Sequence, residues 1–280
     1  KTWKSVDLIL RAALDMNLGR DGKMTGVGGG VVCDMTALAA SLYMRGCGLH
    51  LVPTTLLAMV DASIGGKTGV DFGGYKNVLG TFYPAEKITI YPGLLSALPA
   101  GIYRDGLAEV IKHALLADRE LYGLLAEKRQ GIMDRDLRLL SPMVERAVAV
   151  KKTYVERDLR ERGIRGHLNL GHTFAHALET ASGYAISHGR AVGWGIGKAM
   201  EYGVKLGVTD RAYAEETRAL LAAYGFGADI PSFEPERLIG AMERDKKKRK
   251  GTIRLVLQKG MCDTVMMNAE YALLKEVLGG

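Results

Sequence analysis

The chain has 280 residues and a formal net charge of +7, with 48% hydrophobic and 25% charged residues. These values are ordinary for a soluble globular protein of one or two domains, and the positive charge indicates an anionic partner, either a phosphate ester or a nucleic acid. The sequence lacks both the run of about 18 apolar residues that a membrane-spanning helix needs and the apolar stretch of a signal peptide. We therefore expect a cytoplasmic protein that contacts no membrane. Its three cysteines lack the spacing of a metal site and fit thiols that are kept reduced.

The first predicted elements are a helix, a strand and a glycine run. Apolar residues between Val6 and Leu14 recur at helical spacing, and a strand over residues 23–27 leads into the glycines at 28–30. A second helix is predicted over residues 34–45. Glycines that open a helix leave backbone N–H groups accessible to a pyrophosphate. A tight strand-to-helix turn explains the run equally well, since the spacing is not Gly-x-Gly-x-x-Gly.

A second glycine-rich stretch follows a strand predicted over residues 49–52 and a helical piece over 56–60. Residues 61–71 form a polar loop that contains Gly-Gly-Lys-Thr, which resembles the end of the phosphate-binding loop of nucleoside triphosphatases. The first glycine of that motif is missing, because position 61 is Asp. The stretch therefore predicts an anion-binding loop that offers Lys67.

The character of the chain changes near Pro99. A short strand over residues 87–91 precedes it, and the sequence beyond it is mostly helical. We place a domain boundary there, which divides the chain into an α/β domain of residues 1–99 and a helical domain of residues 100–280. The helices are predicted over residues 106–116, 119–128, 137–157, 173–182, 189–205, 211–224, 235–243 and 270–278, with a hairpin of residues 252–257 and 264–267.

Two motifs in the second half carry charge. Glu109 shares a helix face with Lys112 and His113, which can present a carboxylate beside a cation or form only an exposed salt bridge. Residues 246–250 are all basic, a composition typical of a nucleic-acid patch. That run lacks the aromatic residues that stack on bases, so a solvated turn is favoured over nucleic-acid binding.

Residues 165–188 hold four of the six histidines. A helix from Thr173 brings His172 and His176 onto one face, about 6 Å apart, which suits two ligands of one metal ion or a ligand beside a proton donor. A catalytic zinc usually has three protein ligands, so we expect a carboxylate or imidazole from elsewhere in the chain. The spacing alone leaves the choice of ligands open.

These motifs, in this order, resemble the 3-dehydroquinate synthase family along essentially the whole chain. The residues from Arg165 to His176 separate such cyclases from the glycerol- and iron-type alcohol dehydrogenases that share their fold. The matching blocks are residues 28–34, 43–46, 52–61, 65–69, 76–77, 106–112, 168–176, 245–247, 251 and 254–257.

The resemblance implies a dehydroquinate synthase-like fold. In it an α/β dinucleotide-binding domain, incomplete here, precedes a mostly helical domain, the active site lies in the cleft between them, and the assembly is a homodimer. The resemblance further implies NAD as the cofactor and zinc, or another divalent ion such as cobalt, as the metal.

The same resemblance assigns roles to individual residues. The metal ligands would be Glu109, His172 and His188, which makes His176 a substrate contact. The implied NAD-binding residues are Gly29, Gly30, Asp34, Thr54, Thr55, Asp61, Lys76 and Asn77. The implied catalytic residues are Lys67, Lys112, Lys151, Arg165, Asn169 and His176, and the substrate would also be bound by Asp61, Lys246, Lys247 and an Arg45 from the partner subunit.

The implied reaction converts 3-deoxy-D-arabino-heptulosonate 7-phosphate into 3-dehydroquinate and phosphate, in the shikimate pathway of aromatic amino-acid biosynthesis. NAD oxidises the substrate transiently, phosphate is eliminated, the hydride returns and an intramolecular aldol step closes the ring, so the enzyme would be a carbon–oxygen lyase. The alternatives are a related cyclase acting on sedoheptulose 7-phosphate or glucose 6-phosphate, a metal-dependent polyol dehydrogenase, or an inactive truncated homologue. Lys151 and Arg165 suit a substrate carboxylate and favour the shikimate substrate.

Several features depart from the family pattern. The chain begins just after the family's acidic Asp-Gly-Glu block, so we expect a fragment of a longer product rather than a degenerate member. Arg190 replaces the usual glutamate after His-Gly and would weaken metal binding if it pointed toward His188. Ala97 and Ile102, where a threonine and an acid are usual, bear on the adenosine end of the cofactor site.

Overall fold

The computed structural model describes residues 1–73, 75–227, 230–246 and 252–279. The chain forms two compact units, Lys1–Gly106 with Arg135–Glu161 and Leu107–Asp134 with Arg162–Gly280. The first unit therefore takes in a segment that the sequence analysis assigned to the helical domain. The domain boundary near Pro99 stays a prediction.

The first unit contains a parallel sheet of three strands in the order β1 (Lys23–Gly28), β2 (Gly48–Pro53) and β5 (Lys87–Ile88). Alternate residues of β1 and β2 are buried. They form one apolar cluster with residues of helices α1 (Trp3–Asp15) and α2 (Gly30–Leu42). One face of the sheet is thus covered by helices, as expected for a parallel sheet with helical crossovers.

The rest of the first unit is irregular between β2 and β5 and helical after it. The elements are 3₁₀ turns at Tyr43–Arg45 and Pro92–Ala97, a π-helical turn at Ala58–Ala62, an antiparallel pair of β3 (Val70–Phe72) and β4 (Tyr75–Leu79), the start of α3 (Ala100–Ala117), and α6 (Leu137–Arg157). Two predictions were wrong here. Helix α2 begins at Gly30 and ends at Leu42, because Met44 and Arg45 adopt positive φ angles of 49° and 68°. The loop predicted over residues 61–71 ends in a strand, since β3 begins at Val70, and β4 was not predicted at all.

The second unit is mostly helical, as predicted. Its elements are the remainder of α3, then α4 (Arg119–Glu127), α5 (Arg129–Met133), a 3₁₀ turn at Ile164–Asn169, α7 (His172–Ala181), α8 (His188–Lys205), α9 (Arg211–Ala223), α10 (Pro235–Lys246), the antiparallel strands β6 (Arg254–Gly260) and β7 (Asp263–Asn268), and α11 (Tyr271–Gly279). Aspartates at positions 118 and 210 cap α4 and α9, each accepting a hydrogen bond from a backbone N–H three residues on.

A buried glutamine joins the hairpin to the helices of the second unit. Gln258 on β6 is 1% exposed; its Nε2 donates to the carbonyl of Leu115 at 2.8 Å, and its Oε1 accepts from the hydroxyl of Tyr213 at 2.6 Å. The Thr209 hydroxyl donates to the backbone oxygen of Gln258 at 2.6 Å. A buried polar group satisfied on several sides fixes how β6 packs against α3 and α9.

We find no helix in the described part of the chain with both the length and the apolar character needed to span a bilayer.

Candidate functional site

The glycine run lies at the carboxyl edge of the parallel sheet. Gly28 ends β1 directly opposite Pro53, which ends β2, and the amide of Thr54 donates to the carbonyl of Gly28 at 2.9 Å. Gly29 is the N-cap of α2 and supplies no side-chain cap, so the first backbone N–H groups of this helix are open to a ligand. Such a helix start binds anions, and the carboxyl edge of a parallel sheet is where dinucleotides bind.

Gly29 and Gly30 pack closely against neighbouring residues. A Cβ at Gly29 would lie 3.1 Å from Cγ2 of Thr55, and a Cβ at Gly30 would lie 3.1 Å from Cβ of Ala62. A side chain at either position would therefore require its neighbour to shift by about a few tenths of an ångström, which glycine avoids. Four predicted NAD-binding residues, the two glycines with Thr54 and Thr55, are thus brought together, and their chemistry fits the pyrophosphate of a dinucleotide.

A lysine connects two more of the predicted NAD-binding residues. The Nζ of Lys1 donates to the carboxylate of Asp34 on α2 and to the side-chain oxygen of Asn77 on β4. Burial raises the pKa of Asp34, and the nearby Lys1 opposes that shift. Asn77 also donates its backbone N–H to the carboxylate of Asp71 at 2.9 Å, and Lys76 beside it is exposed. Lys1 was not predicted as part of the site, because a single lysine carries no motif in the sequence.

Two ion pairs of the first unit involve predicted catalytic lysines. The Nζ of Lys151 on α6 lies 2.5 Å from Oδ1 of Asp61, and their side chains are 9% and 24% exposed. Lys67 pairs with Glu161, whose side chain is 9% exposed. Glu161 was also missed by the sequence analysis, since one glutamate in a charged stretch carries no distinguishing pattern.

The other predicted substrate-binding residues are Arg45, Lys246 and Lys247. Arg45 is exposed at the 3₁₀ turn that follows α2. Lys246 is the last residue of α10, and Lys247 lies outside the described residues.

In the second unit, three predicted metal ligands converge. Glu109 on α3 is fully buried, and its Oε1 lies 3.4 Å from Nε2 of His172 and 3.3 Å from Nε2 of His188. One ligand atom from each residue lies within 4.8 Å of the others, a spacing that could hold a metal ion. The two histidines are the first residues of α7 and α8.

The orientation of the His172 ring suits the binding of a cation by Glu109, His172 and His188. Its Nδ1 lies 3.1 Å from the carbonyl oxygen of Leu170, which can only accept a hydrogen bond, so Nδ1 carries the proton. Burial and the charge of Lys112 lower the pKa of His172 to about 4, so the ring is neutral at physiological pH. The lone pair of its Nε2 therefore faces the carboxylate of Glu109 with no proton between them. A positive ion between these two acceptors would satisfy both.

The charges around the centre keep the carboxylate ionised. Burial alone would raise the pKa of Glu109, but its neighbours, Lys112 foremost, outweigh it and hold that pKa well below its usual value. Lys112, which is 1% exposed, pairs directly with Oε2 of Glu109. Burial also opposes protonation of His188, yet Glu109 and Glu179 outweigh it and raise the pKa of His188 to about 10.

The other predicted residues of this unit lie on α7 and the turn before it. His176 is exposed, with its ring centroid 5.5 Å from that of His172 and 6.4 Å from that of His188. Arg165 is 2% exposed and Asn169 is half-buried, both on the 3₁₀ turn that leads into α7. His176 thus lies near the donor group, and its role as a substrate contact stays a prediction.

The sequence matches family models over most of its length. Residues 1–105 match the model described as 3-dehydroquinate synthase N-terminal, and residues 106–248 match the one described as 3-dehydroquinate synthase C-terminal. The chain belongs to the 3-dehydroquinate synthase family.

Curated relatives extend this match to the whole chain. The 3-dehydroquinate synthase of Dictyoglomus thermophilum is 38% identical over 283 aligned residues, covering 100% of this chain and 79% of that protein. The 3-dehydroquinate synthase of Saccharophagus degradans is 41% identical over 259 residues, covering 92% of this chain and 72% of that protein. These relatives confirm the predicted family and the predicted 3-dehydroquinate synthase function, and they make the chain an enzyme of the cyclase class.

Solved structures confirm the predicted fold class. The 2-epi-5-epi-valiolone synthase of Streptomyces hygroscopicus subsp. jinggangensis, with NAD⁺ and Zn²⁺ bound, aligns with a TM-score of 0.91 at 30% identity, covering 98% of this chain and 78% of that one. A 2-deoxy-scyllo-inosose synthase complexed with carbaglucose-6-phosphate, NAD⁺ and Co²⁺ aligns with a TM-score of 0.86 at 22% identity, covering 99% and 79%. The second likeness shows the shared fold.

Proposed function

We propose that this member of the 3-dehydroquinate synthase family converts 3-deoxy-D-arabino-heptulosonate 7-phosphate into 3-dehydroquinate and phosphate with one NAD and one divalent metal ion. The reaction would run by transient oxidation, elimination of phosphate, reduction and intramolecular aldol closure, which makes the enzyme a carbon–oxygen lyase. Net oxidation is zero, so NAD would act catalytically.

One observation carries the proposal. Oε1 of Glu109 lies 3.4 Å from the unprotonated Nε2 of His172 and 3.3 Å from Nε2 of His188. We assign these three residues as the metal ligands. When bound, the divalent ion would supply a Lewis acid that makes a nearby substrate hydroxyl more acidic, and NAD would supply a reversible hydride acceptor. Relatives with NAD⁺ and either Zn²⁺ or Co²⁺ support a dinucleotide and a divalent ion. We propose zinc as the native ion.

The chain's own residues prepare the metal centre for this chemistry. Lys112 keeps Glu109 ionised, so the carboxylate remains available as a ligand at neutral pH. The Leu170 carbonyl fixes the tautomer of His172, so its Nε2 stays free of a proton. We assign to His176, which is exposed beside the ligands, the role of holding or moving a proton on the substrate.

We propose that lysine and arginine side chains bind the anionic groups of the substrate. We assign Arg165, Lys151 and Lys112 to the carboxylate and the polar groups of the substrate, with Asn169 as a neutral hydrogen-bonding partner. Lys67, whose side chain is 53% exposed, would hold the phosphate together with Lys246 and Lys247. Such charges would stabilise the negative charge that develops as phosphate leaves.

NAD would bind at the carboxyl edge of the sheet in the first unit. The open N–H groups of α2 beyond Gly29 would hold its pyrophosphate. We assign Gly30, Asp34, Thr54, Thr55, Asp61, Lys76 and Asn77 as further cofactor contacts. A homodimer in which Arg45 reaches the partner's substrate, and a cytoplasmic location, remain part of the proposal.

The test is phosphate release from 3-deoxy-D-arabino-heptulosonate 7-phosphate in the presence of NAD and zinc, with NADH absorbance followed in the same cuvette. We expect phosphate release without accumulation of NADH, and no phosphate release after the metal is removed with a chelator. Sedoheptulose 7-phosphate and glucose 6-phosphate serve as comparison substrates, and glycerol tests a polyol dehydrogenase.

Each outcome has one meaning. A higher kcat/KM for sedoheptulose 7-phosphate would assign the chain to another cyclase reaction, the alternative favoured by its 0.91 TM-score to a valiolone synthase. Accumulation of NADH with glycerol would indicate a dehydrogenase. Binding of NAD and zinc without release of phosphate from any of these sugars would contradict the proposal.

A further inference from the structure

Glu179 lies next to His188, one of the proposed metal ligands, on the opposite side of its ring from Glu109. It is on α7, two turns beyond His172, and is 6% exposed. Its Oε1 lies 3.6 Å from Nδ1 of His188, while Nε2 on the other side of the same ring lies 3.3 Å from Oε1 of Glu109. The imidazole of His188 is therefore held between two carboxylates.

The two histidines of the centre are oriented in different ways. A backbone carbonyl, that of Leu170, faces Nδ1 of His172 at 3.1 Å, whereas a side chain, Glu179, faces Nδ1 of His188. A histidine ligand whose second nitrogen donates to a carboxylate is fixed in one tautomer and becomes a stronger base toward the metal. The 3.6 Å separation between Nδ1 of His188 and Oε1 of Glu179 is an ion-pair distance.

We propose that Glu179 is a positioning residue that holds Nδ1–H of His188 and thereby directs its Nε2 to the metal ion. This inference rests on the proposed function, since it takes His188 as a ligand. It assigns Glu179 a part in metal affinity without any contact to the ion or the substrate. It also explains why a carboxylate is buried on α7 at the position that faces the start of α8.

The experiment measures the Zn²⁺ affinity of the full chain by competition with a chromophoric chelator, together with the visible spectrum of the Co²⁺-loaded protein. Carboxylate second-sphere partners of histidine ligands are typically worth about 10- to 100-fold in metal affinity. We expect Glu179→Ala to weaken Zn²⁺ binding by a factor in that range and to change the Co²⁺ spectrum. Glu179→Gln keeps an oxygen that can accept from Nδ1 and is expected to lose less.

The matched control is Glu201→Gln, on the same helix as His188. Glu201 pairs with Lys198 at 3.2 Å, so its substitution makes the same change of charge away from the ligands. We expect its Zn²⁺ affinity and Co²⁺ spectrum to equal those of the wild type. Thermal melting of each metal-free variant checks that it is folded, and the near-isosteric Glu179→Gln decides the matter if Glu179→Ala does not fold.

The results separate this inference from the one on which it rests. A wild-type chain that binds neither Zn²⁺ nor Co²⁺ would overturn the proposed metal centre itself. A wild-type chain that binds Zn²⁺, with folded Glu179 variants that bind it equally well and give the same Co²⁺ spectrum, would overturn the role of Glu179 alone. Loss of affinity in Glu201→Gln equal to that in Glu179→Gln would also overturn it, because charge alone would then be responsible.

Discussion

Gly195 of α8 packs directly against the backbone of Gly171, the residue that precedes α7. A Cβ at position 195 would lie 2.2 Å from the carbonyl oxygen of Gly171 and 3.0 Å from the amide nitrogen of Ala175. Gly171 itself has a φ of 78°, in the left-handed region that favours glycine. The two helices that begin with His172 and His188 are thus held backbone to backbone, which sets the distance between the two proposed ligands.

This contact predicts that Gly195→Ala separates α7 from α8 and damages the metal centre. Overpacking of a core typically costs about 1–3 kcal/mol, and a clash with backbone cannot be relieved by a change of side-chain rotamer. We expect a lower melting temperature and weaker Zn²⁺ binding, measured by calorimetry and chelator competition. Gly197→Ala on the same helix is the control, because a Cβ there has nothing within 4 Å. It should stabilise the chain by about 0.5–1 kcal/mol. Equal melting temperatures for the two variants would contradict the prediction.

The division of roles among the histidines can be tested by metal content. His172→Ala removes a proposed ligand, so we expect bound zinc, measured by atomic emission after dialysis, to fall from about one ion per chain to near zero. His176→Ala removes a proposed substrate contact four residues further along α7. It should retain zinc and lose turnover, by roughly 100-fold if His176 transfers a proton. Loss of zinc in both variants would instead make His176 a ligand.

Helical spacing could not choose among these histidines. The sequence predicted that His172 and His176 share a face of one helix, and the 5.5 Å between their ring centroids agrees with that. The remaining members of the donor group come from α3 and α8, and no local period relates Glu109 to residues 63 and 79 positions further along. Only the family resemblance supplied that set, and the convergence of the three ligand atoms supports it.

In the rest of the fold, too, local sequence patterns predicted the helices, but contacts between distant segments could not be predicted. The long amphipathic helices, such as α6 and α9, were predicted to within a residue, because each carries several turns of apolar period and an aspartate cap. The strands β3 and β4 were missed, because glycines at 69, 73 and 80 interrupt the sequence around them and are typical of loops. The pairing of Lys67 with Glu161 depends on contacts between segments far apart in sequence, which a single sequence does not reveal.

The buried thiol of Cys33 gives a prediction for pH dependence. Burial, with a smaller contribution from the charge of Asp34, raises the pKa of Cys33 to about 11, and its Sγ lies 3.8 Å from the carbonyl oxygen of Gly28. Only the thiolate reacts with iodoacetamide, so at pH 8 about one Cys33 thiol in a thousand is reactive. The labelling rate should rise tenfold per pH unit and level off only near pH 11.

Mass spectrometry of tryptic peptides distinguishes the three thiols. In the native chain at pH 8, the exposed Cys262 should be alkylated well before the buried Cys33 and Cys47. In urea all three should react at comparable rates, which controls for intrinsic reactivity. Labelling of native Cys33 at pH 8 as fast as Cys262 would contradict the assigned burial and pKa.

The pair formed by Lys151 and Asp61 is predicted to serve both stability and activity, and a double-mutant cycle can separate the two. Lys151→Met leaves the Asp61 carboxylate, which is only 24% exposed, without this ammonium partner. We expect a loss of about 1–3 kcal/mol in the free energy of unfolding. Because Lys151 is also a proposed substrate contact, kcat/KM should fall by roughly 100-fold.

Adding Asp61→Asn to Lys151→Met also removes the carboxylate charge that Lys151 had paired with, so the double variant should regain most of the lost stability and none of the lost activity. The control is Lys152→Met, the next residue on α6, whose side chain is 66% exposed and pairs with Glu156 at 3.6 Å. A surface pair of this kind is worth at most about 1 kcal/mol, and the enzyme should keep its kcat/KM. Urea unfolding and the phosphate-release assay measure the two properties on the same preparations. Recovery of activity in the double variant would mean that Lys151 acts only by neutralising Asp61, and its assignment as a substrate contact would then be wrong.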